Sequence, residues 1–307
     1  MRRAPLGLIL LASAVLGAAQ PALPPEKKPR LMPVGGQQRT VMVLKDSDTL
    51  LDIAFEHRVG FEALERLNPE IDPWIPVPGT VVELPTRYVL PNTELKGLVI
   101  NVPEMRLYDY TVQPFEVFAA AIGDEADPSL QGVFKVGQKR MNPDWRVPAS
   151  IRAEKPDLPA VVPAGPDNPL GSRWMSIGKT SYGIHGTNVR WSIGRMATHG
   201  CIRLYEDQIQ RLFDRTKTGT RLELVYQPFK WGVHGQELYL EVHPDRYARY
   251  AGPLAEALRT PDELGILEYV DVDRARRAVE EQRGVPVRVG RLPEPPPAPP
   301  TTSRRTS

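Results

Sequence analysis

The chain has 307 residues, of which 41% are hydrophobic and 25% charged, and its formal net charge is +2. This length predicts roughly two domains, and the apolar content is enough for packed cores, which excludes a largely disordered protein. The charges nearly balance and no basic block stands beside interleaved aromatic residues, which excludes a nucleic-acid-binding groove.

Residues 1–19 have the pattern of an export signal. Two arginines precede a short apolar run, and small residues suited to cleavage follow it. The alternative, an uncleaved anchor helix, needs about 20 apolar residues, and this run is shorter. We therefore predict an exported protein with no stable membrane span after cleavage. The proline-rich residues 20–39 that follow have no helical or strand period and predict a linker.

Residues 40–86 predict a small unit with the order strand, helix, helix, strand. The first strand covers Val41 to Leu44, Asp48 is the expected N-cap of the first helix, and the last strand runs from Val81 to Leu84. The apolar spacing of the intervening residues fits two short helices.

This unit resembles a LysM domain, a family that binds the N-acetylglucosamine-containing glycan of cell walls. The resemblance rests on Asp48-Thr49-Leu50, Leu67-Asn68-Pro69 and Pro78-Gly79-Thr80. The family usually has Gly before the Asp-Thr-Leu triplet, whereas Ser47 stands there in this chain. The resemblance implies either glycan binding or a module that packs against its neighbour and orients it.

Residues 97–227 predict a β-rich domain. Strand patterns recur along it, and only one amphipathic helix interrupts them, with Ile209, Leu212 and Phe213 on one face. The proline-rich stretch 142–172 is too long for an ordinary connection. Its tryptophan, isoleucine and valine residues favour an ordered lid over a floppy insertion.

Residues 228–290 predict a short α/β extension that caps the β-rich domain. An apolar strand is followed by two helical segments, and Thr260 to Glu263 predict a capping box with Pro261 at the first helical position. Residues 291–307 are rich in Pro, Ser, Thr and Arg and predict a disordered tail.

Cys201 is the only cysteine, and a free thiol is an oxidation hazard in an exported protein. A nucleophilic thiol needs a base or a cation beside it, because an ordinary thiol is mostly protonated at neutral pH. His199 would share a face with Cys201 in an extended strand, and His185 would lie on the neighbouring strand of a pair. The alternatives are an inert buried cysteine and a zinc site formed by these three residues, for which no fourth ligand is visible.

Glycine and arginine residues complete this segment. Gly186, Gly194 and Gly200 permit tight turns and close approach by a substrate, and the backbone N–H at Gly200 is suited to a developing oxyanion. Arg203 offers a fixed cation and a forked set of donors, which suit a substrate carboxylate.

The segment from Tyr182 to Ile209 resembles the signature of the L,D-transpeptidases, the YkuD-type family of cell-wall cross-linking enzymes. The resemblance covers residues 97–227, and its landmarks are Asn142-Pro143, Trp145, Ile151-Arg152, Gly165 to Gly171, Ile184 to Thr187, Ser192-Ile193-Gly194 and Thr198 to Leu204. It implies a mainly β protein: a YkuD-type catalytic domain with one helix after the active-site motif, preceded by the βααβ LysM-like domain and followed by the α/β extension.

The resemblance also implies the roles of individual residues. Cys201 is the nucleophile, His185 is the general base, and His199 helps to shape the pocket. Some family members carry Ser directly after the first histidine to orient it, and Gly186 stands there in this chain. A backbone carbonyl must then hold the imidazole tautomer. The expected substrate-binding residues are Arg203, Gly200, Gly186, Thr198, Tyr182 and Trp145.

The implied reaction takes place on peptidoglycan stem peptides in the periplasm. The thiolate attacks the carbonyl between the third residue and D-alanine, D-alanine leaves, and the thioester is transferred to an amine of a second stem. No cofactor or metal is needed, and carbapenem-type β-lactams are expected to acylate the same thiol. The alternatives are an L,D-carboxypeptidase, attachment or cleavage of an outer-membrane lipoprotein on peptidoglycan, and a non-catalytic wall-binding scaffold.

Overall fold

The computed structural model describes residues 27–294. The predicted signal at 1–19 and the predicted tail beyond residue 294 lie outside the described residues. Among residues 27–294, no helix is both long and apolar enough to cross a membrane.

The elements are named in chain order. The strands are β1 (Met32–Gly36), β2 (Arg39–Met42), β3 (Val81–Leu84), β4 (Arg87–Val89), β5 (Leu98–Asn101), β6 (Arg106–Asp109), β7 (Glu116–Gly123), β8 (Gly132–Met141), β9 (Trp145–Arg146), β10 (Val161–Val162), β11 (Arg173–Ile177), β12 (Gly183–His185), β13 (Met196–Thr198), β14 (Ile202–Leu204), β15 (Arg221–Val225), β16 (Phe229–His234), β17 (Glu237–Val242) and β18 (Val287–Arg291). The α-helices are α1 (Leu50–His57), α2 (Phe61–Leu67), α3 (Ala149–Glu154), α4 (Glu206–Arg215), α5 (Pro253–Glu263) and α6 (Val272–Glu281).

The largest sheet closes on itself, and we call it the barrel. Its strands are hydrogen-bonded in the order β7, β14, β12, β11, β8, β15, β5, β6, and β6 pairs again with β7. β13 lies beside the end of β7 as a short parallel addition. α4 packs against the barrel through Ile209 and Leu212, which belong to the largest apolar core. The mainly β fold with one helix after the active-site motif is confirmed.

β12 and β14 are parallel neighbours in the barrel. Ile184 lies opposite Ile202, and His185 lies opposite Arg203. Because successive side chains point to opposite faces of a strand, the two isoleucines enter the core while His185 and Arg203 share the other face. Cys201 directly precedes β14 and is two residues from Arg203, which indicates that it lies on that same side.

The N-terminal unit, residues 39–84, has the predicted order of strand, helix, helix and strand. The predicted cap of its first helix is wrong. Thr49 is the N-cap, and its side chain accepts a hydrogen bond from the backbone N–H of Asp52. The carboxylate of Asp48 instead accepts from the N–H groups of Leu44 and Lys45, so it closes the turn that precedes the helix.

The prediction of a linker over residues 20–39 is wrong for Met32–Gly36. This segment is β1, which lies between β16 and β4 in a five-stranded sheet with the order β18, β17, β16, β1, β4. A short Pro- and Gly-containing segment has weak strand propensity, but here two neighbouring strands provide hydrogen-bond partners and the side chain of Met32 is buried. Arg291, where the predicted tail begins, is the last residue of β18.

The capping box predicted at Thr260 to Glu263 is also wrong, because α5 begins at Pro253 and contains Pro261 near its end. Proline has no N–H for the carbonyl four residues earlier, which belongs to Ala257. The indole Nε1–H of Trp231 donates to that carbonyl at 2.6 Å. A side chain from the sheet thus supplies the hydrogen bond that the helix lacks.

A buried cluster of charges joins the barrel to the five-stranded sheet that contains β16 and β17. Glu104 and Arg106 come from the turn and strand at β6, and Lys230, Glu241 and His243 come from the C-terminal side. Lys230 Nζ lies 2.5 Å from Glu104 and 3.1 Å from Glu241, while Arg106 lies 3.3 Å and 3.2 Å from the same carboxylates. Two carboxylates are therefore balanced by two cations, as burial of charge requires.

We predict that Trp231→Phe lowers the free energy of unfolding, because the buried carbonyl of Ala257 then has no donor. The expected cost of that unsatisfied group is about 1–3 kcal/mol. The matched background is Pro261→Ala, which restores an N–H to the helix. Urea denaturation should show a smaller cost of Trp231→Phe in the Pro261→Ala background, and equal costs in both backgrounds would contradict this account.

Candidate active site

The turn before β14 presents Cys201. Gly200 has φ of +89°, in the left-handed region, and a Cβ there would overlap the ring of Tyr182. Thr198 is buried, and its hydroxyl donates to the carbonyl of Cys201 at 2.6 Å. Its hydroxyl is therefore engaged in holding the turn, and we expect Thr198 to position Cys201 rather than contact substrate. His199 and Cys201 do not share one extended strand, because β13 ends at Thr198 and the left-handed glycine separates them.

The His185 side chain is buried and has a defined orientation. Its Nδ1 lies 2.6 Å from the carbonyl oxygen of Gly186. A carbonyl only accepts, so Nδ1 carries the proton and Nε2 is the nitrogen that can receive one. This is the backbone hydrogen bond that the sequence requires in place of a serine side chain.

Trp174 was not identified from the sequence. It lies on β11 directly opposite His185, and the two rings are stacked with centroids 5.5 Å apart at 19°. A Cβ at Gly183 would overlap the indole, so the glycine at the start of β12 gives Trp174 its place. Trp174 reaches the imidazole because β11 pairs with β12. The sequence around His185 and Cys201 does not indicate this pairing.

Burial determines the charge state of the candidate pair. Desolvation, and then the cation of Arg203, lowers the pKa of His185 to about 3, against the opposing effect of the Gly186 and Leu170 carbonyls. Burial also raises the pKa of the Cys201 thiol, and a backbone hydrogen bond with Gly183 and the charge of Arg203 oppose this. At neutral pH the pair is therefore an uncharged imidazole and an uncharged thiol.

Arg203 is the cation of the site. Burial lowers the pKa of its guanidinium, and the neighbouring Cys201 opposes that shift. Within the described residues its buried Nε has no hydrogen-bond partner. A buried donor without an acceptor is costly, and an anionic group such as a thiolate or a substrate carboxylate would satisfy it.

The predicted pocket residues His199 and Trp145 are associated with the lid, residues 142–172. His199 Nε2 lies 3.4 Å from a carboxylate oxygen of Glu154 at the end of α3. Trp145 is in β9, where it pairs with Val162 of β10. The lid has a defined structure, as predicted. The buried side chain of Asn168 holds it together by donating to the backbone carbonyls of Pro143, Val162 and Pro163.

The N-terminal unit docks against the residues that follow β14. The hydroxyl of Tyr205 lies 3.3 Å from the carbonyl oxygen of Ala54 and 2.9 Å from that of Val59. Arg58 forms an ion pair with Asp207 at 2.9 Å. The sequence did not identify the role of Tyr205, because nothing in the segment from Tyr182 to Ile209 indicates a partner about 150 positions earlier in the chain.

Comparison with known proteins identifies the family of this chain. Residues 96–225 match the family model of the YkuD L,D-transpeptidase catalytic domain. The chain is 34% identical over 269 residues to Probable L,D-transpeptidase YbiS of Escherichia coli K12, covering 83% of this chain and 88% of that protein. The chain belongs to the L,D-transpeptidase family.

Further similarities concern the same family. This L,D-transpeptidase family member is 36% identical over 296 residues to Probable L,D-transpeptidase ErfK/SrfK of Escherichia coli K12, covering 92% of the chain and 94% of that protein. A crystal structure of Enterococcus faecium L,D-transpeptidase matches 42% of this chain and 49% of that chain at 19% identity, with a TM-score of 0.34. The family model begins at residue 96, so the LysM resemblance of the N-terminal unit remains a prediction.

We predict that Arg203→Gln shifts the pH dependence of Cys201 alkylation by iodoacetamide toward higher pH. The cation lowers the pKa of the thiol, and its removal leaves the raising effect of burial less opposed. Since Cys201 is the only cysteine, intact mass reports the site directly. Arg203→Lys keeps the charge and should shift the curve less. An unchanged curve in Arg203→Gln would show that the guanidinium does not act on the thiol.

Proposed function

We propose that this family member is a peptidoglycan L,D-transpeptidase in which Cys201 is the nucleophile and His185 is the general base. The observation that supports this most is the parallel register of β12 and β14. It puts the histidine and the segment that carries the thiol on adjacent strands, with side chains on the same face. The carbonyl of Gly186 leaves Nε2 of the imidazole as the proton acceptor.

The proposed reaction has two halves. In the first, the thiol proton passes to His185, and the thiolate attacks the carbonyl carbon between the third residue and D-alanine of a stem peptide. The C–N bond breaks, the imidazolium gives its proton to the leaving amine, and a thioester remains. In the second, an amine of another stem attacks the thioester, loses its proton to His185, and displaces the Cys201 thiolate, which is protonated again.

The pKa directions define the resting state of this cycle. The imidazole is neutral at pH 7, because its pKa is lowered to about 3, and the pKa of the thiol is raised, so the proton transfer needs stabilisation of the charges that it creates. When the proton moves, the resulting thiolate lies near the cation of Arg203, which stabilises the charge that develops. The transpeptidase names of the relatives favour an amine over water as the acceptor in the second half.

We further propose that the N-terminal unit is a LysM-like glycan-binding module and that the protein acts in the periplasm after export. Residues 1–19 supply the export signal. Several large apolar side chains of the N-terminal unit are more than half exposed, and they lie on the two loops that flank its helices: Leu44, Trp74, Ile75 and Val77. Exposed apolar groups clustered in this way indicate a binding surface, and an indole suits the apolar face of a sugar.

The decisive test is mass spectrometry of products after incubating the mature protein with a disaccharide-tetrapeptide donor. We expect a dimer joined through two third-position residues, and its absence with Cys201→Ala. His185→Gln should slow formation of the thioester by about 10²–10⁴-fold, since proton transfer is lost. The matched histidine control is His199→Gln, because the ring of His199 contacts the lid. This variant should retain more activity than His185→Gln. Tripeptide alone would instead indicate a carboxypeptidase.

The glycan proposal has its own test. Trp74→Ala should weaken cosedimentation of the protein with insoluble peptidoglycan, because it removes the exposed indole. Val133→Ala, an exposed apolar residue on β8 of the barrel, is the control and should bind like the wild-type protein. Equal binding by both variants would indicate that the N-terminal unit packs against the barrel and does not bind glycan through Trp74.

A further inference from the structure

Glu206 is an acidic residue beside the site that the proposed mechanism does not use. It is the first residue of α4 and follows β14 with only Tyr205 between them. One carboxylate oxygen, Oε1, accepts from the backbone N–H of Ser172 at 3.1 Å and from the hydroxyl of the same residue. Gln210 donates to that oxygen at 3.1 Å. The carboxylate therefore holds the end of the lid against α4.

The other carboxylate oxygen of Glu206, Oε2, is packed against two glycines. It is buried and has no hydrogen-bond partner within the described residues. A Cβ added at Gly186 would overlap it, and so would a Cβ added at Gly171. The carboxylate thus occupies the space in which any larger residue at these two positions would place its side chain.

These two glycine segments carry the carbonyl groups that contact His185. The carbonyl of Gly186 accepts the Nδ1–H of the imidazole at 2.6 Å, and the Leu170 carbonyl, adjacent to Gly171, also acts on the ring. The two segments are in direct contact with each other, since a Cβ at Gly171 would lie 2.8 Å from the carbonyl carbon of Gly186. Displacing either segment would turn the carbonyl that fixes the imidazole tautomer.

We propose that Glu206 is a positioning residue for His185: its carboxylate fixes the backbone of Gly171–Ser172 against that of Gly186, and so fixes the orientation of the imidazole. The role of the imidazole as general base rests on the function proposed above. The same geometry explains why glycine, rather than the serine of other family members, follows His185. The carboxylate fills the space that a serine side chain would need.

If Glu206 positions His185, variants at residue 206 should differ in a defined way. Glu206→Ala removes the contacts with Ser172 and Gly186, whereas Glu206→Gln keeps the shape and an acceptor for Ser172. Misplacement of a catalytic group by about 1 Å can cost on the order of 10²-fold in rate. We therefore expect a loss of that order in the rate of Cys201 acylation by a carbapenem for Glu206→Ala, and near-normal acylation for Glu206→Gln. Asp214→Asn, an exposed acidic residue on the same helix, is the control.

The deciding readout is the NMR spectrum of the imidazole nitrogens, assigned with His185→Gln among the five histidines. In the wild-type protein His185 should be a single tautomer protonated at Nδ1, and Glu206→Gln should match it. Glu206→Ala should populate both tautomers while its unfolding transition remains cooperative. A wild-type imidazole spectrum in Glu206→Ala would overturn the proposal. The proposal would also be overturned if Glu206→Ala lost acylation through global unfolding and Glu206→Gln showed the same loss.

A second variant pair tests the contact itself. Gly186→Ser alone should disturb the His185 spectrum, because the new side chain overlaps Glu206. Combining it with Glu206→Ala should give a smaller defect than the sum of the two single changes, since Glu206→Ala removes the carboxylate that the new side chain overlaps. Additive defects would contradict the contact. The spectrum does not depend on turnover, so failure of the transpeptidase proposal would appear separately, as products that Cys201→Ala does not abolish.

Discussion

The parallel pairing of β12 with β14 is the contact on which the candidate site depends. With Ile184 opposite Ile202, both fully buried, the alternate positions His185 and Arg203 must lie on the outer face. A slip of one residue would send the imidazole into the core and an isoleucine out of it. Both edges of β14 are occupied, because β7 pairs with its other side. The closed sheet therefore fixes the register that brings His185, the proposed base, close to the segment of Cys201, the proposed nucleophile.

The residues that follow β14 connect this register to the rest of the protein. Tyr205 bonds to backbone carbonyls of the N-terminal unit, Glu206 bonds to the end of the lid and contacts Gly186, and Asp207 pairs with Arg58. These three consecutive side chains leave the end of one strand in different directions. The N-terminal unit is consequently a packed neighbour of the site, with the ring of Phe55 set edge-on to that of Tyr205 at 5.7 Å.

What could be predicted from the sequence follows from local pattern. The spacing of its apolar residues predicts the strand, helix, helix, strand order of the N-terminal unit. Short strand segments bounded by glycines predict that His185 lies on the strand beside Cys201. The need for a backbone carbonyl at His185 was also visible, since Gly186 has no side chain.

The features that sequence reasoning missed depend on distant partners. β1 is a strand because β16 and β4 lie on either side of it, although its own composition resembles a linker. Pro261 is tolerated within α5 because Trp231 donates to the carbonyl that the proline leaves without a donor. Trp174 and Glu206 likewise gain their places beside His185 from pairings and turns that no motif records.

If the protein is exported as proposed, its lone thiol needs protection from oxidation, and the electrostatics of the site favour the protonated form. Thiolate character controls oxidation as well as nucleophilic attack, and burial raises the pKa of Cys201 so that the thiol stays protonated at neutral pH. Burial also lowers the pKa of His185, so the imidazole is neutral at the same pH. Arg203, whose buried Nε lacks a hydrogen-bond partner among residues 27–294, can stabilise an anion that forms or is brought in. The Cys201 thiol is therefore weakly reactive in the free protein. We expect its reactivity to rise when a substrate is bound and a thiolate forms beside Arg203.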